Sequence, residues 1–160
     1  MNGYHATMVG FPYGDLNAWR GPYPAGVFAS QFEKVSLGWQ RGVAELRGVT
    51  GSAATEDQRL ALAAGLHFES VANQARFILA RAAGRRDQMA RIARSEAGIA
   101  RALYDLALDD SRLGFEPSDQ YYYMPLDLVE NVVNCEFIAA GLVDTKAGWK
   151  RSTCDEQRLR

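Results

Sequence analysis

The sequence predicts an all-α protein: a compact bundle of about four main helices with long aromatic-rich loops. Three observations carry that expectation. Apolar residues recur at steps of three and four over four long stretches, Gly and Pro gather between those stretches, and no set of alternating segments reads as strands. At 160 residues the chain is the size of one domain, long enough to build a core without disulfides or metals to staple it. Three segments are expected: an extended lead-in rich in aromatics, Pro and Gly over 1–26, a helical bundle over 27–143, and a polar, flexible tail over 144–160.

The lead-in carries Gly3, Gly10, Gly14 and Gly21 with Pro12, Pro22 and Pro24, which reads as a loop with at most a short extended piece at Thr7 to Phe11. It is aromatic for a loop, with Tyr4, Phe11, Tyr13, Trp19 and Tyr23. Its start has neither a basic region nor a long apolar run, so no signal peptide is read there and a cytoplasmic chain is the default expectation. The stretch ATMVGFPYGDL resembles the end of a strand entering a loop, which suggests a front end that packs on another domain or continues from one.

The first helix is expected from about Val27 to about Leu46, with Phe28, Phe32, Val35, Trp39, Val43 and Leu46 as its apolar stripe. Gly38 and Gly42, four apart, would let another helix approach closely. The second begins after Thr55 as N-cap, with Glu56 and Asp57 at its positive end. Its stripe is Leu60, Ala64, His67, Val71, Ala75 and Ile78, widened by Leu62, Leu66 and Phe77. Gly84 stops it, with Arg81 in the last turn. The third runs from about Arg86 to about Asp109 on Met89, Ile92, Glu96, Ile99, Leu103 and Leu106, making an antiparallel hairpin with the second. The fourth starts at Pro125, a favoured first position. Leu126, Val129, Val133, Phe137 and Ala140 are expected as its core face, with Leu128, Val132 and Cys135 beside them, and Gly141 as its end.

Composition excludes several functions. A net charge of −1 gives no overall pull toward nucleic acid or membrane. No run approaches the ~20 apolar residues of a membrane span. The two cysteines, Cys135 and Cys154, sit in unlike surroundings and are expected to be free thiols. No Glu-x-x-His, Walker, Gly-x-Ser-x-Gly or Gly-x-Gly-x-x-Gly pattern is present, so neither metal nor cofactor is expected. His67 on an apolar stripe reads as a base or ligand, or as a hydrogen-bonded core histidine. Glu96 must find a donor: it is a general acid, or it pairs with an arginine such as Arg76. Arginines 76, 81, 85, 86, 91, 94 and 101 face few acids in their window. With no aromatic residue in the turn for stacking, they read as a solvated face rather than a nucleic-acid surface.

The most telling stretch is Asp-Gln-Tyr-Tyr-Tyr at 119–123. Neighbours in an extended segment point to opposite sides, so three tyrosines cannot all enter one core. They either plug the end of the bundle or form a site. Tyr121, Tyr122 and Tyr123 with Arg112, Glu116 and Asp119 suit a sugar, whose C–H face stacks on rings while its hydroxyls find polar groups. Trp19, Arg20 and Tyr23 give the lead-in the same character. A shared aromatic cleft requires the two connections to meet at one end of the bundle.

VGFPYGDLNAWRGPYP together with DSRLGFEPSDQYYYMPLDLVENVVNCEF resembles the C-terminal helical region of large, poorly characterised bacterial proteins, some carbohydrate-active and glycoside-hydrolase-like. The family pattern is close to Asp-Ser-Arg-Ile-Gly-Phe-Glu-Ala-Ser-Asn-His-Tyr-Tyr-Tyr. Asp110, Ser111, Arg112, Gly114, Phe115, Glu116, Ser118 and the three tyrosines match it, while Pro117, Asp119 and Gln120 depart. Any polar role of the Asn-His pair is therefore in doubt here. The resemblance implies a helical module whose catalytic partner domain lies upstream in larger relatives.

Three functions are consistent with these readings. The first is an accessory helical module of a carbohydrate-processing protein, not catalytic alone, touching a sugar or a neighbouring domain. The second is a structural or protein-interaction module, with homo-oligomerisation included. The third is a small stand-alone hydrolase using Glu116 and Asp119, whose carboxylates would need to lie ~5–9.5 Å apart.

Overall fold

The computed structural model of the chain describes residues 16–46, 48–110, 112–113 and 124–143. Every regular element among them is a helix: α1 (Leu16–Trp19), α2 (Ala25–Leu46), α3 (Ser52–Ala82), α4 (Arg86–Asp109) and α5 (Pro125–Val143). The long helices pack mainly on their neighbours in the chain, α2 on α3, α3 on α4 and α4 on α5. Paired residues run in opposite directions across each contact, so all three pairs are antiparallel: Glu33 meets Arg76 while Gln40 meets Glu69, and Arg86 meets Leu142 while Arg101 meets Glu136.

The helix boundaries follow from local chemistry. The α3–α4 turn is a Schellman motif: the Arg85 N–H donates to the Ala80 carbonyl at 2.9 Å and the Gly84 N–H to Arg81 at 3.1 Å. It needs the left-handed φ of +66° that Gly84 supplies. At the α2–α3 connection, Gln58 donates to the carbonyls of Leu46 (2.7 Å) and Val49 (2.8 Å), giving the end of α2 a partner for its last turn. The α3 helix starts at Ser52, earlier than expected. Thr55 is therefore not its N-cap; it lies in the first turn and its hydroxyl donates back to the Gly51 carbonyl at 3.0 Å. The α5 helix runs past Gly141 to Val143, and Arg86 donates to its final carbonyls at Gly141 (3.0 Å) and Leu142 (3.2 Å). A cation at that position also opposes the negative helix end.

The expected lead-in loop contains a helix. Leu16 of α1 is 4% exposed and packs with Ala29 of α2 and Ala75 of α3, flanked by Phe28, Ile78 and Leu79. A second apolar cluster joins Ile99, Ala100 and Leu103 of α4 to Leu128 of α5, with Ala63 and Leu66 of α3 against it. Side chains such as Leu103 and Leu128, about 4% and 3% exposed, each contribute roughly 1.5–3 kcal/mol by burial.

Two expected faces are turned differently. Leu60 and Leu62 of α3 are exposed. In α5 the expected core stripe of Leu126, Val129, Val133, Phe137 and Ala140 is exposed along its whole length, and Leu128, Cys135 and Ala139 are buried instead. The cause is the neighbour. α4 contributes buried Ala90, Ala93, Ala97 and Ala100, and helices approach most closely where both surfaces are small. Cys135 and Ala139 meet that condition and Phe137 does not, while Leu128 on the same face packs with Ile99, Ala100 and Leu103.

The close approach expected at Gly38 and Gly42 is absent: a Cβ at either would meet nothing. It occurs at Gly65 of α3 instead, where a Cβ would lie 3.0 Å from Cδ1 of Trp39. The Trp39 indole lies across α3, donates to the Ala61 carbonyl at 2.7 Å and meets Phe68 edge-on at 5.1 Å. Gly65→Val adds branches where one Cβ is already tight. It is expected to destabilise by about 1–3 kcal/mol, read as a lower urea midpoint.

Candidate functional site

A concave space of about 520 Å³ opens between α3 and α5, with α4 as its floor. Small-molecule sites span roughly 300–1,000 Å³. Its polar centre is Glu96. The Ser70 hydroxyl donates to one carboxylate oxygen at 2.5 Å, and the Asn73 amide donates to the other at 3.2 Å. Asn73, only 4% exposed, also donates to the Ser95 hydroxyl at 3.2 Å. Ser70 and Asn73 lie one helical turn apart on the face of α3 turned toward α4, so the two donors reach one carboxylate. Glu96 does find donors, as its place on an apolar stripe demands, but they are neutral. Arg76, the expected partner, pairs with Glu33 of α2 at 2.9 Å.

His67 and Cys135 also line the space. Burial holds the His67 imidazole below its ordinary value, and the opposing pull of the Glu96 charge is the smaller effect. Burial, with the Glu96 charge acting in the same direction, pushes the Cys135 thiol up to about 11. It is a protonated thiol at neutral pH, a weak nucleophile. Its hydrogen-bond partner is the Asn131 side-chain oxygen at 3.3 Å. Among the described residues no three of His, Cys, Asp and Glu converge as a metal site needs. The arrangement therefore orients one carboxylate in a half-buried, largely apolar recess.

The residues expected to bind a ligand are distributed differently. Arg20 holds the turn between α1 and α2: its guanidinium donates to the Asn17 side-chain oxygen at 2.7 Å and to the Tyr23 carbonyl at 2.5 Å. Tyr23 is 59% exposed. Trp19 closes α1, and its ring lies outside the described atoms. Arg112 grips Asp110 through two donors, at 2.8 and 2.6 Å, and reaches Glu56 at the start of α3 at 3.5 Å. It thereby fastens the exit of α4 to α3. Glu116, Asp119, Tyr121, Tyr122 and Tyr123 lie outside the described residues, and with them the meeting of the two aromatic connections. The ring pairs described, Phe28–Phe32, Trp39–Phe68 and His67–Phe68, belong to helices.

The arginine-rich face is partly spoken for: Arg86 caps α5, Arg101 pairs with Glu136 and Arg76 with Glu33. Compared with family models, curated proteins and solved structures, the chain has no match. Functional reading therefore rests on its own residues.

Two outcomes are expected. Asn73→Ala strips Glu96 and Ser95 of a donor and should cost about 1–3 kcal/mol in chemical denaturation. The hydrogen bonds from Arg112 hold Asp110 down at about 2, against an ordinary 3.8. A depressed carboxylate stabilises the fold above its ordinary value, and that contribution is lost as pH falls through about 2. In Arg112→Ala the guanidinium is lost but the backbone N–H of residue 112 still donates to Asp110, so its carboxyl should move from about 2 toward, without reaching, 3.8, as read by NMR.

Proposed function

We propose that this chain is a helical protein-interaction module that docks an amphipathic helix of a partner polypeptide on α5. The observation that supports this most is the exposed row on α5: Leu126 is 75% exposed, Val129 46%, Val133 59% and Phe137 68%. Steps of three, four and four place the four side chains on one face. Together they present on the order of 500 Å² of apolar surface, toward the upper end of the ~300–600 Å² patches that monomers carry.

The chemistry of the partner follows from charge. The α5 helix contains Asp127, Glu130 and Glu136 and no lysine or arginine. Glu136 is engaged by Arg101. Asp127 and Glu130 are exposed, and helical spacing sets Glu130 along one border of the apolar row. A helix with an apolar face bordered by Lys or Arg satisfies both features, with the apolar contact supplying affinity and the charges the register. Such a helix can belong to a neighbouring domain or to a separate protein. The residues expected to make a carbohydrate contact lie mostly outside the described ones, whereas the exposed row of α5 lies within them and supports the helix-docking reading.

Fluorescence anisotropy with designed helical peptides tests the reading. A Leu-faced peptide with Lys borders is expected to bind at least tenfold tighter than its Glu-bordered twin. Phe137→Glu and Val133→Glu, both at exposed positions, should abolish binding without loss of helix content. Equal binding of the two peptides, or none, would overturn the proposal. Light scattering that shows a dimer, dissolved by Phe137→Glu, would assign the face to a second copy instead.

A further inference from the structure

The recess around Glu96 is built independently of the α5 outer face, and its chemistry selects a different kind of ligand. We propose that it binds a small organic cation, a protonated primary or secondary amine with an apolar body, whose ammonium sits on Glu96.

Three features of the site lead there. First, the carboxylate is half-buried and fixed: Ser70 holds one oxygen and Asn73 the other, and Asn73 is itself held by Ser95. A carboxylate oxygen has acceptor capacity beyond one hydrogen bond, so both remain able to take an N–H from a ligand. Second, among the described residues no Arg or Lys forms an ion pair with Glu96. The two donors are neutral, and His67 is kept from carrying positive charge by burial. A negative charge in an apolar recess gains most from a cation brought to it. Third, the walls beyond the carboxylate are apolar: Phe77 and Ile78 from α3, Ile92 from α4 and Ile138 from α5. A ligand with an alkyl or aryl body covers them while its charge stays at Glu96.

Titration of the full chain with n-hexylamine, followed by ¹H–¹⁵N NMR, tests this, with 1-hexanol and hexanoate as controls at equal ionic strength. Hexylamine is expected to give saturable shifts centred on residues 70–78 and 92–96. Hexanol and hexanoate should each bind at least tenfold more weakly. Glu96→Gln should lose at least tenfold in hexylamine affinity, and Ser70→Ala, which keeps the charge but frees one oxygen, severalfold. Non-saturable shifts, equal affinity for hexylamine and hexanol, or an unchanged affinity in Glu96→Gln would each overturn the proposal. If Glu96→Gln does not fold, the amine-against-alcohol comparison on the native chain decides the matter by itself.

Discussion

Close packing of small side chains along α4 is the constraint on which the arrangement depends. Ala90, Ala93, Ala97 and Ala100 are all buried, beside the larger Ile92, Ile99 and Leu103. One helix thus serves two neighbours, α3 and α5. Against this helix α5 buries Leu128, Cys135 and Ala139, two of them small. The row of Leu126, Val129, Val133 and Phe137 is left outward.

Polar groups are placed with the same economy. Between α3 and α4 a single carboxylate interrupts the apolar seam, and it is satisfied by an amide and a hydroxyl rather than by a guanidinium. The available arginines are committed elsewhere: Arg76 to α2, Arg101 to α5, Arg86 to a helix terminus. An ion pair at Glu96 would fill the recess and remove its charge. Neutral donors leave the carboxylate's charge in place.

Helix existence was legible in the sequence because the period of apolar residues depends only on the helix itself. The α4 stripe of Ile92, Glu96, Ile99 and Leu103 was legible for the same reason, since its bulky residues lie on one side. Face selection in α5 was not. Two apolar rows run down that helix, and periodicity cannot choose between them; the deciding information is carried by alanines in another segment. The α1 helix is four residues long, too short to show a period among Gly and Pro. Glu96 announced its need for a donor by sitting on an apolar stripe. Its actual donors, Ser70 and Asn73, carried no signal, because neither lies on the stripe used to read α3. Likewise, the choice of Glu33 over Glu96 for Arg76 depends on which neighbour lies on which side of α3. The aromatic chemistry of Trp19, Glu116, Asp119 and Tyr121–Tyr123 falls outside the described atoms.

The hydrogen bonds from Arg86 to the last carbonyls of α5 link chain positions more than fifty residues apart. Arg86 follows the Schellman turn directly, so the turn's geometry fixes where its guanidinium can reach. The last turn of α5 is thereby tethered to the α3–α4 corner by two side-chain hydrogen bonds. A helix end whose last carbonyls already hold a guanidinium has that much more to lose before it frays.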